Sequence, residues 1–461
     1  MKFSHRFSPL YRIVLLLTFV LPWGLPVPAR AQAAPRILES STENHFPDGL
    51  TFHIVAEADA PIEKIFLFYR QQGDIGTTRQ ALNFEPGTHV EAAYTWDTSR
   101  FTVPPSAPVL FSWEVRDADG SVTKSEETRF YYHDVRFAWQ ELQDDDLVVR
   151  WYEGDAAFGQ LLFDTARTAL DRMVRESGST LEFPVYLVVY PNRDDFASWH
   201  AYVEDWVGGE AYPSLGVTVE LISPADDVSW IMDVIPHEIA HLFFYQAVHA
   251  AFADWPHWLD EGVAQYYEPG SHTPELAQVS AAAKEGRLIG LDLLSGSFGS
   301  DDARVRLAYA ESLSAVTYMR TAWGDEAFSA LIAAIRGGKP FRDAVQDAFG
   351  VTWEEFVAGW WNWMGVSVTP AAPPTATATM AFPTAPSWEL PTPLATITPL
   401  LPSPTIAAPA PSQTPAVEPV STQADFPTRS GLSLLAGCMA AAGVIAFLGW
   451  LMWRSGRTTG R

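Results

Sequence analysis

The first regularity along the chain is a change of period. Between residues 36 and 133, apolar and polar positions alternate, or β-branched and aromatic residues cluster, in "LTFHIVAEA", "IEKIFLFYRQ", "HVEAAYTWD", "VLFSWEVRDADGS" and "ETRFYYH". A period of two puts every second side chain on one face of a strand. Asp-Gly and Pro-Gly pairs separate the runs as turns do. The pattern predicts about five to seven short strands in roughly 100 residues, an all-β sandwich of the immunoglobulin or fibronectin kind. With no catalytic cluster in it, this region reads as a spacer or packing module.

From about residue 140 to 365 the period becomes helical. "AFGQLLFDTARTALDRMVRE" spaces its apolar residues for one helix face, "PVYLVVYP" reads as a buried strand, and "GVTVELI" as a second strand, an edge one beside a cleft. Later come "ARVRLAYAESLSAVTYMRTAW", stopped at Gly324, and "DEAFSALIAAIR", stopped at Gly337 and Gly338. "TWEEFVAGWWNWM" follows, with Thr352 as N-cap and Glu355 three residues on. Sheet first and helices later make this an α+β domain.

Residues 366–430 are Pro, Thr, Ala and Ser with few charges, too little apolar surface to fold. They read as a disordered stalk, a candidate for O-glycosylation, reaching at most roughly 200 Å if extended. Residues 431–453, "GLSLLAGCMAAAGVIAFLGWLMW", carry no charge, and Arg454, Arg457 and Arg461 follow. At about 1.5 Å per residue this run covers a hydrocarbon core of about 30 Å. The trailing arginines place residues 454–461 in the cytoplasm. At the other end, Lys2, His5, Arg6 and Arg12 precede "IVLLLTFVLPWGL", and "PARAQAA" offers small residues at Ala29 and Ala31. That is the order of a secretory signal over residues 1–31; a permanent anchor is the competing reading, but the run before Pro22 is short for one. The expectation is a cell-membrane protein, single-pass, with an extracytoplasmic N-terminal ectodomain.

Composition narrows the options. The 461 residues are 48% hydrophobic with a formal net charge of −25. Length allows two cores, and this acidity excludes a nucleic-acid partner, which needs a basic surface. One cysteine, Cys438, excludes an intrachain disulfide and a thiolate-rich zinc site. The oligomeric state has no signature.

The candidate chemistry lies in "IPHEIAHLFF", residues 235–244. On a helix, His237 and His241 share a face one turn apart, a spacing that suits one Zn²⁺. Glu238, offset by about 100°, is placed to act as general base on a metal-activated water rather than as a ligand. Pro236 either opens that helix or bends it. Two histidines and a glutamate among Ile235, Ile239, Leu242, Phe243 and Phe244 are costly without partners; the alternative is a pair of satisfied core histidines. A third ligand is available in "PHWLDEGVAQYYE", residues 256–268, where Glu261 stands among Trp258, Leu259, Gly262, Val263 and Ala264. Asp260 either orients a ligand or is an ordinary solvated or capping carboxylate. His249 and His257 read as ordinary polar residues.

H-E-x-x-H followed by W-L-D-E-G-x-A resembles the gluzincin metallopeptidases, in particular the aminopeptidase N-like and peptidase MA-like group, over about residues 184–364. The resemblance implies a zincin-like fold. It makes His237, His241 and Glu261 the zinc ligands and Glu238 the general base. "YAESLSAVTYM" matches the family's later helix and gives Tyr309 the role of binding the oxyanion. The resemblance also implies a peptide or protein substrate. The segment that captures a substrate's amino terminus in the aminopeptidase N group is replaced here by "VGGEAYPSLGVTVEL", which retains only Glu210. A second class stays open: an adhesion-type surface binding protein that keeps the peptidase fold without turnover.

The topology has a direct test. Protease added to intact cells should release a soluble fragment carrying residues 237–261 and leave a tag after Arg461 protected. Digestion of that tag from outside would overturn the orientation.

Overall fold

The computed structural model describes residues 33–203, 207–250, 253–299 and 301–367. The signal segment, the tail and nearly all of the stalk lie outside these residues, as does the apolar run 431–453. Among the described residues no helix is long and apolar enough to cross a membrane. The chain divides into two compact units, Met1–Ala138 with Ala197–Tyr202, and the remainder.

The first unit is all-β: β1 (Arg36–His45), β2 (Gly49–Gln71), β3 (Thr78–Ala81), β4 (Gly87–Asp97), β5 (Ala107–Asp117), β6 (Val122–Lys124) and β7 (Thr128–Tyr132). "LTFHIVAEA" and "IEKIFLFYRQ" are not two strands but the halves of β2. The first half pairs with β1 and β4, the second with β3 and β5. The register shifts between Glu57 and Ile62, around Pro61, which has no N–H to give to a ladder. The two ladders face each other: Phe52 meets Tyr69 at 5.6 Å and Phe111 at 5.1 Å between ring centroids, and the Trp113 indole donates to Ser40 Oγ at 2.9 Å. The result is sandwich-like, with both layers sharing β2. The pairings define that much and no particular immunoglobulin topology.

The second unit begins with a five-stranded sheet in the order β11 (Gly209–Tyr212), β12 (Val217–Leu221), β10 (Val185–Tyr190), β9 (Leu147–Trp151), β8 (Gln140–Gln143). β9, β10 and β12 are parallel, and each edge strand is antiparallel to its neighbour. β10, "VYLVVY", is buried throughout, as a central parallel strand must be. β12, expected at the edge, is interior. β11 takes the edge, and its four residues are too few to show alternation.

The helices are α1 (Ala156–Ser177), α2 (Arg193–Ala197), α3 (Val228–Val248), α4 (His257–Tyr267), α5 (Thr273–Lys284), α6 (Asp302–Arg336), α7 (Phe341–Phe349) and α8 (Trp353–Trp363). Asp227 caps α3 by accepting from the Ser229 N–H at 2.8 Å, so Pro236 does not open the helix. The two turns before Pro236 put His237 and His241 in mid-helix. α6 breaks its helical geometry at Gly324 (φ 80°, ψ −179°), where the sequence stops the first of its two segments. Thr352 and Glu355 form the expected reciprocal cap on α8.

α4 packs between α3 and α6. Gly262 makes the second contact close: a Cβ there would stand 2.4 Å from the Ser312 carbonyl oxygen of α6. Helix propensity favours Ala over Gly by about 1 kcal/mol, but this clash is with backbone, and overpacking costs about 1–3 kcal/mol. Gly262→Ala should therefore lower the melting temperature by several degrees, measured calorimetrically. An unchanged or higher melting temperature would mean that α4 and α6 are not held this close.

Candidate metal centre

α3 carries His237 and His241 one turn apart, their ring centroids 4.9 Å and their Nε2 atoms 3.3 Å from each other. α4 brings Glu261 alongside, with Oε2 3.7 Å from each Nε2. The three side chains offer ligand atoms within 4.8 Å of one another, the one such cluster found among the described residues. All are buried: His237 is 0%, Glu261 1% and His241 4% exposed.

The outer nitrogens of both rings are committed. His237 Nδ1 lies 2.9 Å from Glu268 Oε1, and His241 Nδ1 lies 2.8 Å from Asp260 Oδ1. Each imidazole can thus donate Nδ1–H to a carboxylate and turn the Nε2 lone pair toward Glu261. This arrangement fixes ring orientation and raises ligand basicity. One short helix, with its capping residue, supplies all three carboxylates: Asp260 and Glu261 in its first turns and Glu268 at its end.

Charge in this pocket is unbalanced. Burial pushes Glu261 up to about 8, against the pull of the His241 charge, and the Tyr309 hydroxyl lies close enough to ease the rise. Burial likewise raises Glu238 to about 7. His237 is held well below its usual value by burial and by the charge on His241. His241 goes the other way: burial opposes its charge, but Asp260, Glu261 and Glu238 outweigh it and raise the ring to about 10. One proton on His241 is then the counter-charge to a nest of carboxylates, the place a cation would take. β12 adds Glu220, held well above the carboxylate range by burial and by the charge of Glu238.

The residues fit a zinc ion. Both oxygens of Glu238 are buried without a hydrogen-bond partner, and neither oxygen of Glu261 has one of normal geometry. Such carboxylates cost several kcal/mol unless a cation meets them. The ligand atoms form a triangle of sides 3.3, 3.7 and 3.7 Å. Its circumscribed circle has a radius of about 2.1 Å, and zinc bonds to imidazole nitrogen and carboxylate oxygen at about 2.0–2.2 Å.

The other singled-out residues divide. Glu238 is 0% exposed and next to the first ligand. Tyr309, on α6, is buried facing Glu261, Glu238, Glu268 and Asp260, and burial with those charges holds its phenol well above its usual value. Asp260 meets His241 Nδ1 at 2.8 Å, the contact that the first of its two readings requires. His249 ends α3, stacked on Tyr245 at 4.5 Å, and takes no part. Glu210 accepts from the Tyr212 hydroxyl and is not one of the ligand set. His257, read as an ordinary polar residue, belongs to the site: its Nε2 lies 3.5 Å from Glu261 Oε1, and burial lowers its pKa. Glu268 was missed. Its signal was the one that exposed Glu261, a carboxylate on an apolar and aromatic helix, seven residues on.

Residues 165–366 match the family model described as the Peptidase MA superfamily. The H-E-x-x-H helix and Glu261 both lie within this stretch, so the match covers the candidate metal centre. Similar solved structures include a mutant two-domain M1 zinc metallopeptidase bound to L-arginine, at 13% identity over 74% of this chain and 96% of that one, TM-score 0.34. The M1 zinc metallopeptidase from Deinococcus radiodurans is similar at 14% identity over 71% and 91%, TM-score 0.29. A Clostridium perfringens structure with two CBM32 modules and an M60 catalytic domain is similar at 12% over 73% and 39%, TM-score 0.30. The likeness to the family rests on the family model and the site, not on these structures. No curated protein matches the chain.

Glu268→Gln keeps the size of the side chain and removes its charge. It should weaken zinc binding about 10- to 100-fold, read by competition with a chromophoric chelator. Unchanged affinity would show that Glu268 does not set the His237 ring.

Proposed function

We propose that this chain is a zinc metallopeptidase that hydrolyses peptide bonds, tethered outside a membrane by residues 431–453. The observation that carries the reading is the pairing of a zinc-sized triad, His237, His241 and Glu261, with an unpaired buried carboxylate, Glu238, on the same helix. The peptide as substrate follows from the peptidase family whose model matches residues 165–366.

A zinc ion held by the triad supplies Lewis-acid polarisation and makes a water molecule acidic near pH 7. The chain's own groups do the rest. Glu238, buried beside the first ligand and with no competing hydrogen bond, accepts the proton from the attacking water at one carboxylate oxygen. It then returns that proton to the amine that leaves as the C–N bond breaks. Burial and the charges of Glu261, Glu238, Glu268 and Asp260 favour the protonated phenol of Tyr309. Its hydroxyl therefore acts as a neutral donor to the carbonyl oxygen as negative charge develops there. Asp260 and Glu268 keep both imidazoles facing inward.

Glu238→Gln separates the roles. The variant should retain about one zinc per chain and lose roughly 10²–10⁴-fold in turnover on a diverse peptide library. Equal turnover in the two forms would place the base elsewhere, and loss of zinc would make Glu238 a ligand.

A further inference from the structure

We propose that His257 is a positioning residue for the metal site, engaging Oε1 of Glu261 so that this carboxylate meets the metal through Oε2 alone. The inference rests on the zinc reading and adds a residue to it. The two oxygens of Glu261 face different partners. Oε2 lies 3.7 Å from His237 Nε2 and 3.7 Å from His241 Nε2, whereas Oε1 lies 3.5 Å from His257 Nε2.

His257 opens α4 exactly one i,i+4 step before Glu261, so its ring lies over the same face of the helix. It is held there from two sides. Its backbone N–H donates to the Ser295 carbonyl at 3.2 Å, and its ring lies 4.8 Å from Phe298, which in turn stands edge-on to Tyr309 at 5.2 Å. The side chain is only 18% exposed. The 3.5 Å separation exceeds a normal hydrogen bond by a few tenths of an ångström, and movement of about 0.5 Å closes it.

The consequence concerns coordination number. Catalytic zinc keeps three protein ligands and one open position. A buried carboxylate with one oxygen on a cation and the other without a donor satisfies the second oxygen most readily on the same cation, which would add a fifth bond beside the water in that position. A donor at Oε1 removes the incentive. Simple packing of His257 on Phe298 would predict no effect on the metal.

The experiment uses the full chain in detergent, loaded with Co²⁺ in place of zinc, as wild type, His257→Leu and His257→Gln. Leu keeps the bulk and loses the donor; Gln places an N–H near the position of Nε2. Wild type and His257→Gln should show the intense visible bands of four-coordinate cobalt. His257→Leu should show the weaker bands of five-coordinate cobalt, and its zinc affinity should fall about tenfold or more. A four-coordinate spectrum with unchanged affinity in His257→Leu would overturn the proposal, including the case in which Tyr309 alone serves Oε1. If His257→Leu fails to fold, His257→Gln decides: a five-coordinate spectrum there overturns the proposal too. Failure of the wild type to bind cobalt or zinc would overturn the metal reading itself, a separate result.

Discussion

Glu261 reaches two imidazoles on α3 because α4 lies hard against α6, and that approach depends on a residue with no side chain. Gly262 faces the Ser312 carbonyl, where a single methyl group would stand at 2.4 Å. With α4 seated there, the helix and its capping residue deliver Asp260 to His241, Glu268 to His237, and Glu261 between the two rings. Ser312 is itself one turn beyond Tyr309 on α6. The same contact therefore sets where the phenol stands relative to Glu261. A metal centre built from two helices thus has its geometry fixed by a third.

Electrostatics explains why such a site needs a cation. Burial raises the pKa of Glu261 and Glu238, while the charges of Asp260, Glu261 and Glu238 hold a proton on His241 against its own burial. That state leaves buried carboxylate oxygens without hydrogen bonds. A divalent ion at the centre of the triad satisfies Glu261 and releases His241 to bind as a neutral ligand, as metal coordination requires. The cost of burial is what makes the site selective for being filled.

The cluster of His237, His241 and Glu261 was legible because its rule is local. Two histidines at i and i+4 share a helix face whatever surrounds them, and Glu261 betrayed itself as a carboxylate among apolar neighbours. Tyr309 came from the family resemblance alone, since nothing in the spacing of α6 separates it from a core tyrosine. Glu268 was lost although it carries the same signal as Glu261, because the end of a helix is an ordinary place for a glutamate. His257 was lost for a different reason: its role depends on how one oxygen of Glu261 is turned, which no pattern encodes. In the fold, β12 was misjudged as an edge because β11 is only four residues long. β2 was divided in two because Asp59, Ala60 and Pro61 look like a turn, yet they only shift a register.

The account turns on whether His237, His241 and Glu261 hold one zinc ion. Diffraction data collected above and below the zinc absorption edge, from crystals of the protein purified without chelators, address that most directly. The account predicts a single anomalous peak bonded to both Nε2 atoms and to Oε2 of Glu261 at about 2.0–2.2 Å, with Nδ1 of each ring still on Glu268 and Asp260. The absence of a peak there in zinc-containing buffer, or a peak bound by other residues, would contradict it.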